Sequence, residues 1–184
     1  MYYVIQVAPG MEEKTELQIR RVVPPELYVS CFHPTRHMRK KFHGEWKDLH
    51  EKLLPGYVFV ITDSIRELYL ELRRVPSLTK LLGRSEGDYF VALPEHEVEW
   101  LEKVTASGKA ERDTEVALSR VTVSESDEIQ IMDGPLKDVE GMIRKINLHK
   151  RIAEVEVEFM GRKTIIYLGL ELVKKKNEEE KQLK

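Results

Sequence analysis

The segment that most constrains this chain is residues 129–143, which read IQIMDGPLKDVEGMI. Ile129 and Ile131 alternate with their neighbours, and this period of two is typical of a strand with one buried face. The Asp-Gly-Pro sequence that follows favours a tight turn, because glycine permits unusual backbone angles and proline fixes the next one. Gly141 is expected to be obligatory and precedes a second strand. The segment therefore predicts two strands connected through a tight turn.

The composition is that of a soluble protein with a heavily charged surface: 34% of the 184 residues are charged and 41% are hydrophobic. No apolar run is long enough to cross a membrane, and the first residues, MYYVIQVAPG, lack the features of a secretory signal. The single Cys31 excludes an internal disulfide, which fits a reducing cytosol. We therefore expect a cytoplasmic protein. Because the formal net charge is only −2, any contact with nucleic acid has to come from local basic patches.

Strand and helix patterns divide the chain into two folding units. The first alternates strands with helices, and the second is almost all strand pattern. Between them the apolar periodicity fades, and the last residues are too charged to bury apolar surface. The predicted boundaries are 1–104 for the N-terminal domain, 105–119 for a linker, 120–174 for a β-domain and 175–184 for a disordered tail.

Within the first unit, residues 53–62 form an apolar run that predicts a central strand buried on both faces. Ser64 and Glu67 are spaced as a capping box at the start of the next helix. Leu17 is expected to point inward from an earlier helix. The stretch 34–50 is basic and carries hydroxyl and aromatic side chains, and it is interpreted as a loop.

Three segments together resemble the NusG family of transcription elongation factors. The opening strand YYVIQ is similar to the aromatic first strand of the family, and LPGYVFV (residues 54–60) matches its central FPGYVFV strand. DGPLKDVEG (residues 133–141) and FMGR (residues 159–162) resemble the KOW motif and the FGR turn of a small barrel. This resemblance covers nearly the whole chain. It implies an α+β fold, with an N-terminal NusG-type α/β sandwich domain followed by a small SH3-like KOW β-barrel.

Within the family, residues 38–60 are most similar to the specialised paralogues called LoaP, and RKINLHKR (residues 144–151) points the same way. The similarity implies a processive antiterminator that binds RNA polymerase through its N-terminal domain and RNA, such as a leader hairpin, through its KOW domain. Two alternatives stay open. A housekeeping factor would use the barrel to recruit Rho or a ribosomal protein, and a ribosome-associated KOW protein would not act on polymerase. We expect a monomer with no cofactor and no membrane partner.

The resemblance also implies a polymerase-binding site on the N-terminal domain. In the family an apolar depression near the central strand grips the clamp helices, a role that suits aromatic anchors. A pair of hydroxyls matches the region that faces the polymerase gate loop. The matching residues are Tyr2, Tyr3, Leu54, Pro55, Gly56 and Tyr57 in the depression, with Ser77 and Thr79 as the hydroxyl pair. The alternative is that the residues of the depression, Tyr3 above all, simply fill the core and that the hydroxyls belong to an ordinary helix end and turn.

Two basic sets are candidates for nucleic-acid binding. In the first, cations interleave with aromatic residues, which suits phosphate contact and base stacking; in the family this region lies near non-template DNA. The second set lies on the barrel, where Glu154, Glu156 and Glu158 would have to occupy another face. The candidates are Arg36, Arg39, Lys40, Lys41 and Trp46 in the first set, and Arg144, Lys145, His149, Lys150, Arg151, Arg162 and Lys163 in the second. The alternatives are a solvated loop and a barrel that binds only protein.

No sequence motif points to catalysis. The chain has no P-loop, no dinucleotide fingerprint, no G-x-S-x-G and no HExxH. His33, His37, His43 and His50 lie near Cys31, yet they lack the paired spacing of zinc ligands, and one cysteine cannot build a thiolate-rich site. We therefore expect a non-enzymatic protein without catalytic or metal-binding residues.

Overall fold

A computed structural model describes residues 1–78, 90–105 and 114–174. The helices are α1 (Glu12–Val22), α2 (Ile65–Leu72) and α3 (Glu95–Thr105), with 3-10 segments at Pro25–Leu27 and Pro135–Met142. The strands are β1 (Tyr2–Gln6), β2 (Ser30–Phe32), β3 (Thr35–Phe42), β4 (Glu45–Lys52), β5 (Tyr57–Ile61), β6 (Phe90–Ala92), β7 (Glu115–Val116), β8 (Ser119–Val123), β9 (Ile129–Asp133), β10 (Ile143–Asn147), β11 (Ile152–Phe159) and β12 (Arg162–Leu172). None of these helices has the length and apolarity that crossing a membrane requires.

The N-terminal part is built on a four-stranded sheet in the order β2-β5-β1-β6, with antiparallel pairing throughout. Strand β5 lies between two neighbours, and its residues Val58, Phe59 and Val60 have no exposed surface. The β-branched and aromatic run that predicted a buried central strand is therefore confirmed. Regular pairing begins at Tyr57 rather than at the start of the predicted run.

The two faces of this sheet pack against different parts of the molecule, because successive side chains of a strand point to opposite sides. Ile5 and Val60 pack with Ile19 of α1 on one face. On the other face, Val4 and Phe59 pack in a cluster that includes α3 and the C-terminal strands. The second face therefore meets the rest of the molecule.

Two local helix predictions were wrong. Leu17 was expected to point inward, but it is 48% exposed, and Ile19 is the apolar residue of α1 that is fully buried. The predicted capping box at Ser64 does not form, because the Ser64 side chain makes no capping hydrogen bond to α2. Instead, the Ser64 backbone N–H donates to Thr62 Oγ1 at 2.9 Å.

The interpretation of residues 34–50 as a loop was also wrong, because β3 and β4 pair there as a long antiparallel hairpin. His43 and Gly44 form its turn with positive φ values of 48° and 88°, as two-residue hairpin turns require. Met38 is the fully buried residue of these two strands. The hairpin has little apolar alternation because little of it is covered.

Strand β7 lies within the residues predicted to form the linker. It runs parallel to β3, and the Thr35 backbone N–H donates to the Thr114 carbonyl oxygen at 3.3 Å. Residues 106–113 of the predicted linker and the predicted tail, 175–184, lie outside the described residues. The domain boundaries stay a prediction.

The C-terminal part is a curled five-stranded sheet in the order β10-β11-β12-β8-β9, called the barrel below. In β11, the buried Val155, Val157 and Phe159 alternate with more exposed glutamates, as the sequence predicted. A mixed helix-and-sheet part followed by a small SH3-like sheet confirms the predicted fold class.

The glycine that the barrel requires is Gly134 rather than Gly141. Gly134 has a φ of +96°, and a Cβ there would lie 2.6 Å from Ser119 Cα. Gly141 has no positive φ, and a Cβ there would meet nothing within 4 Å. The expectation that Gly141 is obligatory was therefore wrong, and the backbone of the turn after β9 places the constraint at Gly134.

Candidate functional site

The barrel packs on the second face of the N-terminal sheet through Phe159 at the end of β11. The Phe159 ring meets Tyr57 edge-on, with ring centroids 4.9 Å apart, and lies 6.0 Å from the Phe59 ring. Trp100 of α3 adds a second edge contact at 6.5 Å. Phe159 is only 4% exposed. These contacts define what is called the domain interface below.

A buried carboxylate fastens this interface. Glu97 of α3 has no exposed surface, and its two oxygens accept hydrogen bonds from the backbone N–H groups of Met160 and Gly161 at 2.7 and 2.8 Å. The Trp100 indole N–H donates to the Glu158 carbonyl oxygen at 2.8 Å. A buried carboxylate is stable only when its oxygens accept hydrogen bonds. The two backbone donors of Glu97 both lie in the β11–β12 turn, so Glu97 binds this turn to α3.

Ligand atoms of His96, Glu97 and Glu158 lie within 4.8 Å of one another, a spacing that a metal ion could bridge. Both Glu97 oxygens already accept backbone amides, and His96 Nε2 lies 3.5 Å from Glu158. The group is therefore explained by its role in the domain interface.

A second contact joins the barrel to the β3–β4 hairpin. Arg36 Nη1 donates to the Tyr167 carbonyl oxygen of β12 at 2.9 Å, and Arg39 Nη1 lies 3.6 Å from Glu171. Gly169 permits this approach, because a Cβ there would lie 2.3 Å from the His37 carbonyl oxygen. A side chain at position 169 would therefore push β12 away from the hairpin.

Most of the predicted polymerase-binding depression lies at the domain interface. Tyr57 contacts Phe159, Leu54 is 5% exposed, and Tyr2 packs against the same apolar cluster. The Tyr2 hydroxyl donates to Glu102 Oε1 at 2.7 Å; burial, followed by this acceptor, raises the pKa of Tyr2 well above its usual range. Pro55 is exposed beside this surface.

Gly56 is set by a different contact. Its φ is +89°, and its backbone N–H donates to Oε1 of the buried Glu12 at 2.7 Å. The other Glu12 oxygen accepts the Gly10 N–H at 2.9 Å. Burial alone would raise the pKa of Glu12, but these backbone donors outweigh it and hold that pKa below its ordinary value.

The remaining predicted polymerase-binding residues are not brought to this surface. Tyr3 is on the opposite sheet face, where its ring stacks on Phe90 at 5.1 Å. The Ser77 hydroxyl lies 3.1 Å from Thr15 Oγ1 of α1, and its backbone N–H donates to Gln18. Thr79 lies outside the described residues.

The structure brings parts of the two basic sets together. Lys40, Lys41 and Trp46 of the hairpin line one cleft with His149, Lys150 and Ile152 of the barrel. The Arg151 guanidinium lies 5.1 Å from the centroid of the Trp46 ring. Two sets predicted separately therefore share one surface.

Several of the predicted cations form ion pairs with carboxylates. Glu51 pairs with Arg36 and Lys40, Asp48 and Glu171 pair with Arg39, and Glu156 pairs with Arg144 and Lys163. The hydrogen bond from Arg144 holds the pKa of Glu156 below its ordinary value. Across residues 1–78, 90–105 and 114–174, no ion pair includes Lys41, Lys145, Lys150 or Arg162.

Sequence reasoning missed Glu97 and Trp100 as interface residues. Acidic residues in the first turn of a helix are common, since they suit the helix dipole, so Glu97 gave no signal. Trp100 lies on the buried side of α3 with Leu101 and Val104. That apolar stripe was a usable signal for a buried face, although it did not name the surface that covers it.

The fold defines a class of protein in which an α/β part carries a small SH3-like barrel against the apolar face of its sheet. Comparison with known proteins identifies the family within this class. A family model described as "Transcription termination factor nusG" matches residues 1–102. The chain belongs to the NusG family, whose members are transcription factors rather than enzymes.

Curated relatives agree over a longer span. The chain is 25% identical to the transcription termination/antitermination protein NusG of Streptomyces griseus, over 95% of this chain but 64% of that protein. It is 27% identical to the protein of the same name from Lactococcus lactis, over 92% of this chain and 89% of the relative. The chain thus spans less than two thirds of the Streptomyces griseus protein.

A solved structure described as "Domain interaction in Thermotoga maritima NusG" is similar in fold. Its TM-score is 0.50 at 25% identity, and the match covers 91% of this chain and 92% of that chain. The similarity extends through both the α/β part and the barrel.

Proposed function

We propose that this protein is a processive antiterminator of the LoaP type. It binds RNA polymerase through the apolar face of its N-terminal sheet and RNA through the barrel, with non-template DNA as a further contact of the hairpin. Membership of the NusG family supports the role in transcription. The resemblance of residues 38–60 to LoaP supports the specialised role.

The observation that carries the RNA-binding part is the separation of charge on the barrel. Glu156 pairs with Arg144 and lies 3.7 Å from Lys163, and Glu158 lies at the domain interface, 3.5 Å from His96. Lys150 extends into the cleft with no carboxylate partner among the described residues. Lys150 is therefore free to meet a phosphate at this end of the barrel, as RNA binding needs.

Polymerase binding requires the barrel to move. Tyr57 is the anchor that the family resemblance assigns to polymerase, and the Phe159 ring covers it. A clamp helix and Phe159 cannot occupy the same apolar surface. The arrangement described here is thus the closed form, and polymerase binds the form in which the domain interface is open.

A housekeeping role is the second candidate. The β11–β12 turn presents Met160, half-buried, next to Phe159, and Met side chains adapt to many apolar partners. Once released from Glu97, this turn would be free to recruit Rho or a ribosomal protein. The curated relatives, described as termination/antitermination proteins, agree with this role as well.

The test is in vitro transcription through tandem terminators, downstream of either the leader of the operon beside the gene or an unrelated leader. We expect readthrough that requires both the protein and its own leader. Lys150→Ala should remove this readthrough, because it deletes a cation of the cleft that no ion pair of the described residues includes. Lys163→Ala is the matched control, because that ammonium already faces Glu156 at 3.7 Å.

Equal readthrough on both templates would contradict the antiterminator proposal and favour the housekeeping factor. Equal loss in the two lysine variants would contradict the assignment of RNA binding to the Lys150 end of the barrel. Binding of Rho or a ribosomal protein by the purified chain, lost in Met160→Ala, would support the second candidate directly.

A further inference from the structure

The cleft between the hairpin and the barrel is suited to a ligand by its size and by its lining. Its volume is about 370 Å³, within the range of pockets that hold small organic groups. Trp46 and Ile152 supply apolar surface, while lysines and one histidine supply the polar groups. Among the residues that the structure describes, no carboxylate lines it. The lining therefore favours a flat, anionic ligand.

Two of the lining cations are available for such a ligand. Lys40 is paired with Glu51, but the ion pairs of the described residues include neither Lys41 nor Lys150. Lys41 comes from the hairpin and Lys150 from the barrel. Positive charge therefore reaches the cleft from both sides.

The aromatic group of the cleft is held in place. Trp46 lies opposite Lys41 in the register of the hairpin, and the Arg151 guanidinium lies 5.1 Å from its ring centroid. Arg151 adopts an unusual positive φ of 57°, and its carbonyl oxygen accepts the Leu170 N–H of β12 at 2.9 Å. Strained residues of this kind cluster at binding sites, where the surrounding structure maintains them.

We propose that this cleft binds an unpaired nucleotide of a single-stranded nucleic acid. The base lies against Trp46 and Ile152, and the flanking phosphates meet Lys41 and Lys150. Every base has an aromatic face, so stacking on an indole accepts any sequence, while the lysines follow the backbone. The inference rests on the proposed function for the nucleic-acid class of the ligand and adds a composite site to it.

The site exists only while the barrel is docked, because each side supplies half of it. Gly169 gives a way to separate the halves without changing any cleft residue. A Cβ at position 169 would lie 2.3 Å from the His37 carbonyl oxygen and 2.6 Å from Leu118 Cδ2. Gly169→Ala therefore pushes β12 from the hairpin and should weaken nucleotide binding.

The test measures fluorescence anisotropy of short labelled oligouridylate and oligothymidylate with the full chain over a range of salt concentrations. We expect Trp46→Ala to weaken binding about tenfold with an unchanged salt dependence. Lys41→Ala should instead lower the slope of log affinity against log salt by about 0.7, the loss of one phosphate contact. Trp46→Phe should restore binding, since it keeps a stacking ring. Lys103→Ala is the control for lysine deletion, because that ammonium pairs with Glu99 on α3 and lines no part of the cleft described above.

Gly169→Ala should weaken binding as Trp46→Ala does, and the double variant should add little further loss. Circular dichroism must show that the variant stays folded; Glu97→Gln, which weakens the contact between α3 and the β11–β12 turn and changes no cleft residue, tests the same separation independently. A preference for the RNA or the DNA probe identifies the source of the strand, and either preference supports the proposal.

Three outcomes would overturn it. Loss of binding in Lys150→Ala alone, with Trp46→Ala and Gly169→Ala unaffected, would show that the barrel binds without the hairpin; the proposed function would then survive and the composite cleft would not. Equal affinity for a duplex probe would exclude an unpaired nucleotide. No binding of either probe, alongside intact leader-dependent readthrough, would reject the cleft while leaving the proposed function in place.

Discussion

At the scale of single residues, two buried glutamates use the same chemistry for different purposes. Glu12 and Glu97 have no exposed surface, and the carboxylate oxygens of each accept hydrogen bonds from backbone N–H groups. Glu12 holds Gly10 and Gly56 within the N-terminal part. Glu97 holds the β11–β12 turn across the domain interface. A buried carboxylate is stabilising only with such donors in place. Glu12 therefore stabilises the fold of the N-terminal part, and Glu97 stabilises the docked position of the barrel.

Glu12→Gln should lower the free energy of unfolding by about 1–3 kcal/mol at neutral pH, because an amide cannot accept both backbone donors. The native pKa of Glu12 is below its ordinary value of 4.5. Its contribution to stability is therefore fully present above that value and is lost as the pH falls through the native pKa. Urea unfolding of both proteins at several pH values measures this difference.

The neighbouring Glu13→Gln is the control for this prediction, because Glu13 is exposed. It should change stability little at any pH. A Glu12→Gln effect that stays constant down to strongly acidic pH would contradict the role assigned to the Glu12 carboxylate.

Glu97→Gln should loosen the domain interface while leaving each part folded. The glutamine side chain keeps one oxygen that can accept a hydrogen bond. Its NH2 group would face the other backbone donor, the N–H of Met160 or of Gly161, and cannot accept from it. We expect the closed form to lose about 1–3 kcal/mol. Amide hydrogen exchange at Met160 and Gly161 should become faster, and the radius of gyration measured by X-ray scattering should increase.

Glu99→Gln is the matched control on the same helix. Glu99 is 63% exposed and pairs only with Lys103, at 2.9 Å, among the described residues. It should leave hydrogen exchange at the β11–β12 turn unchanged. Equal exchange rates in the wild type and Glu97→Gln would show that the aromatic contacts alone hold the barrel.

At the scale of elements, the turns determine how the strands pair and connect. The β3–β4 hairpin closes at His43-Gly44, where positive φ values suit the twist of the two strands. The barrel closes because Gly134 lets the chain pass against Ser119 at the start of β8. The Leu136 backbone N–H then donates to Ser119 Oγ at 2.9 Å. A backbone position without a side chain thus determines how β9 connects to the rest of the sheet.

Gly134→Ala should destabilise the protein by about 3 kcal/mol or more, because the φ of +96° is strained for alanine and the new Cβ overlaps Ser119. Gly141→Ala should change stability by less than about 0.5 kcal/mol, since its Cβ enters open space. Thermal unfolding of the two variants compares them directly. The reverse order would show that Gly141 carries the constraint after all.

At the scale of the whole molecule, the proposed polymerase surface and the proposed nucleotide cleft depend on the barrel in opposite ways. The polymerase surface is free only when the barrel leaves Tyr57, whereas the cleft is complete only when the barrel stays beside Trp46. Two ligands that favour different forms of one protein must weaken each other's binding, and the effect is reciprocal. The proposals together imply that a single strand in the cleft favours the closed form.

Saturating oligouridylate should therefore weaken binding of RNA polymerase by the wild-type chain, measured by biolayer interferometry with immobilised protein. Trp46→Ala should remove the effect, since the strand no longer distinguishes the closed form. Lys103→Ala should keep the effect, because Lys103 pairs with Glu99 on α3. Stronger polymerase binding in the presence of the strand would contradict this linkage and would place the strand on the open form.

Much of the architecture followed from the sequence alone, because local patterns carry it. The β-branched run around Phe59 and the alternation of Val155, Val157 and Phe159 predicted buried strands, and both are confirmed. The hairpin was missed because a two-stranded arm with one buried residue, Met38, lacks that alternation. Gly141 was chosen over Gly134 because a sequence does not show which backbone position will approach Ser119.

The candidate site was predictable as residue types but not as an arrangement. Basic and aromatic residues around Lys41 and Lys150 were identified in the sequence, yet their meeting in one cleft depends on how the barrel docks. The ion pairs of Glu156 with Arg144 and Lys163 could not be predicted from the sequence either, because the three residues come from three different strands.

By itself, the sequence determined which segments become strands and helices and which family the chain resembles, since periodicity and short motifs are local properties. Only the tertiary structure decided that Phe159 covers Tyr57, that Glu97 fastens the turn, and that two basic sets share a cleft. The reason is physical. These features arise from contacts between residues far apart in the chain, and such contacts are selected by the shape of two packed surfaces rather than by the preferences of either segment.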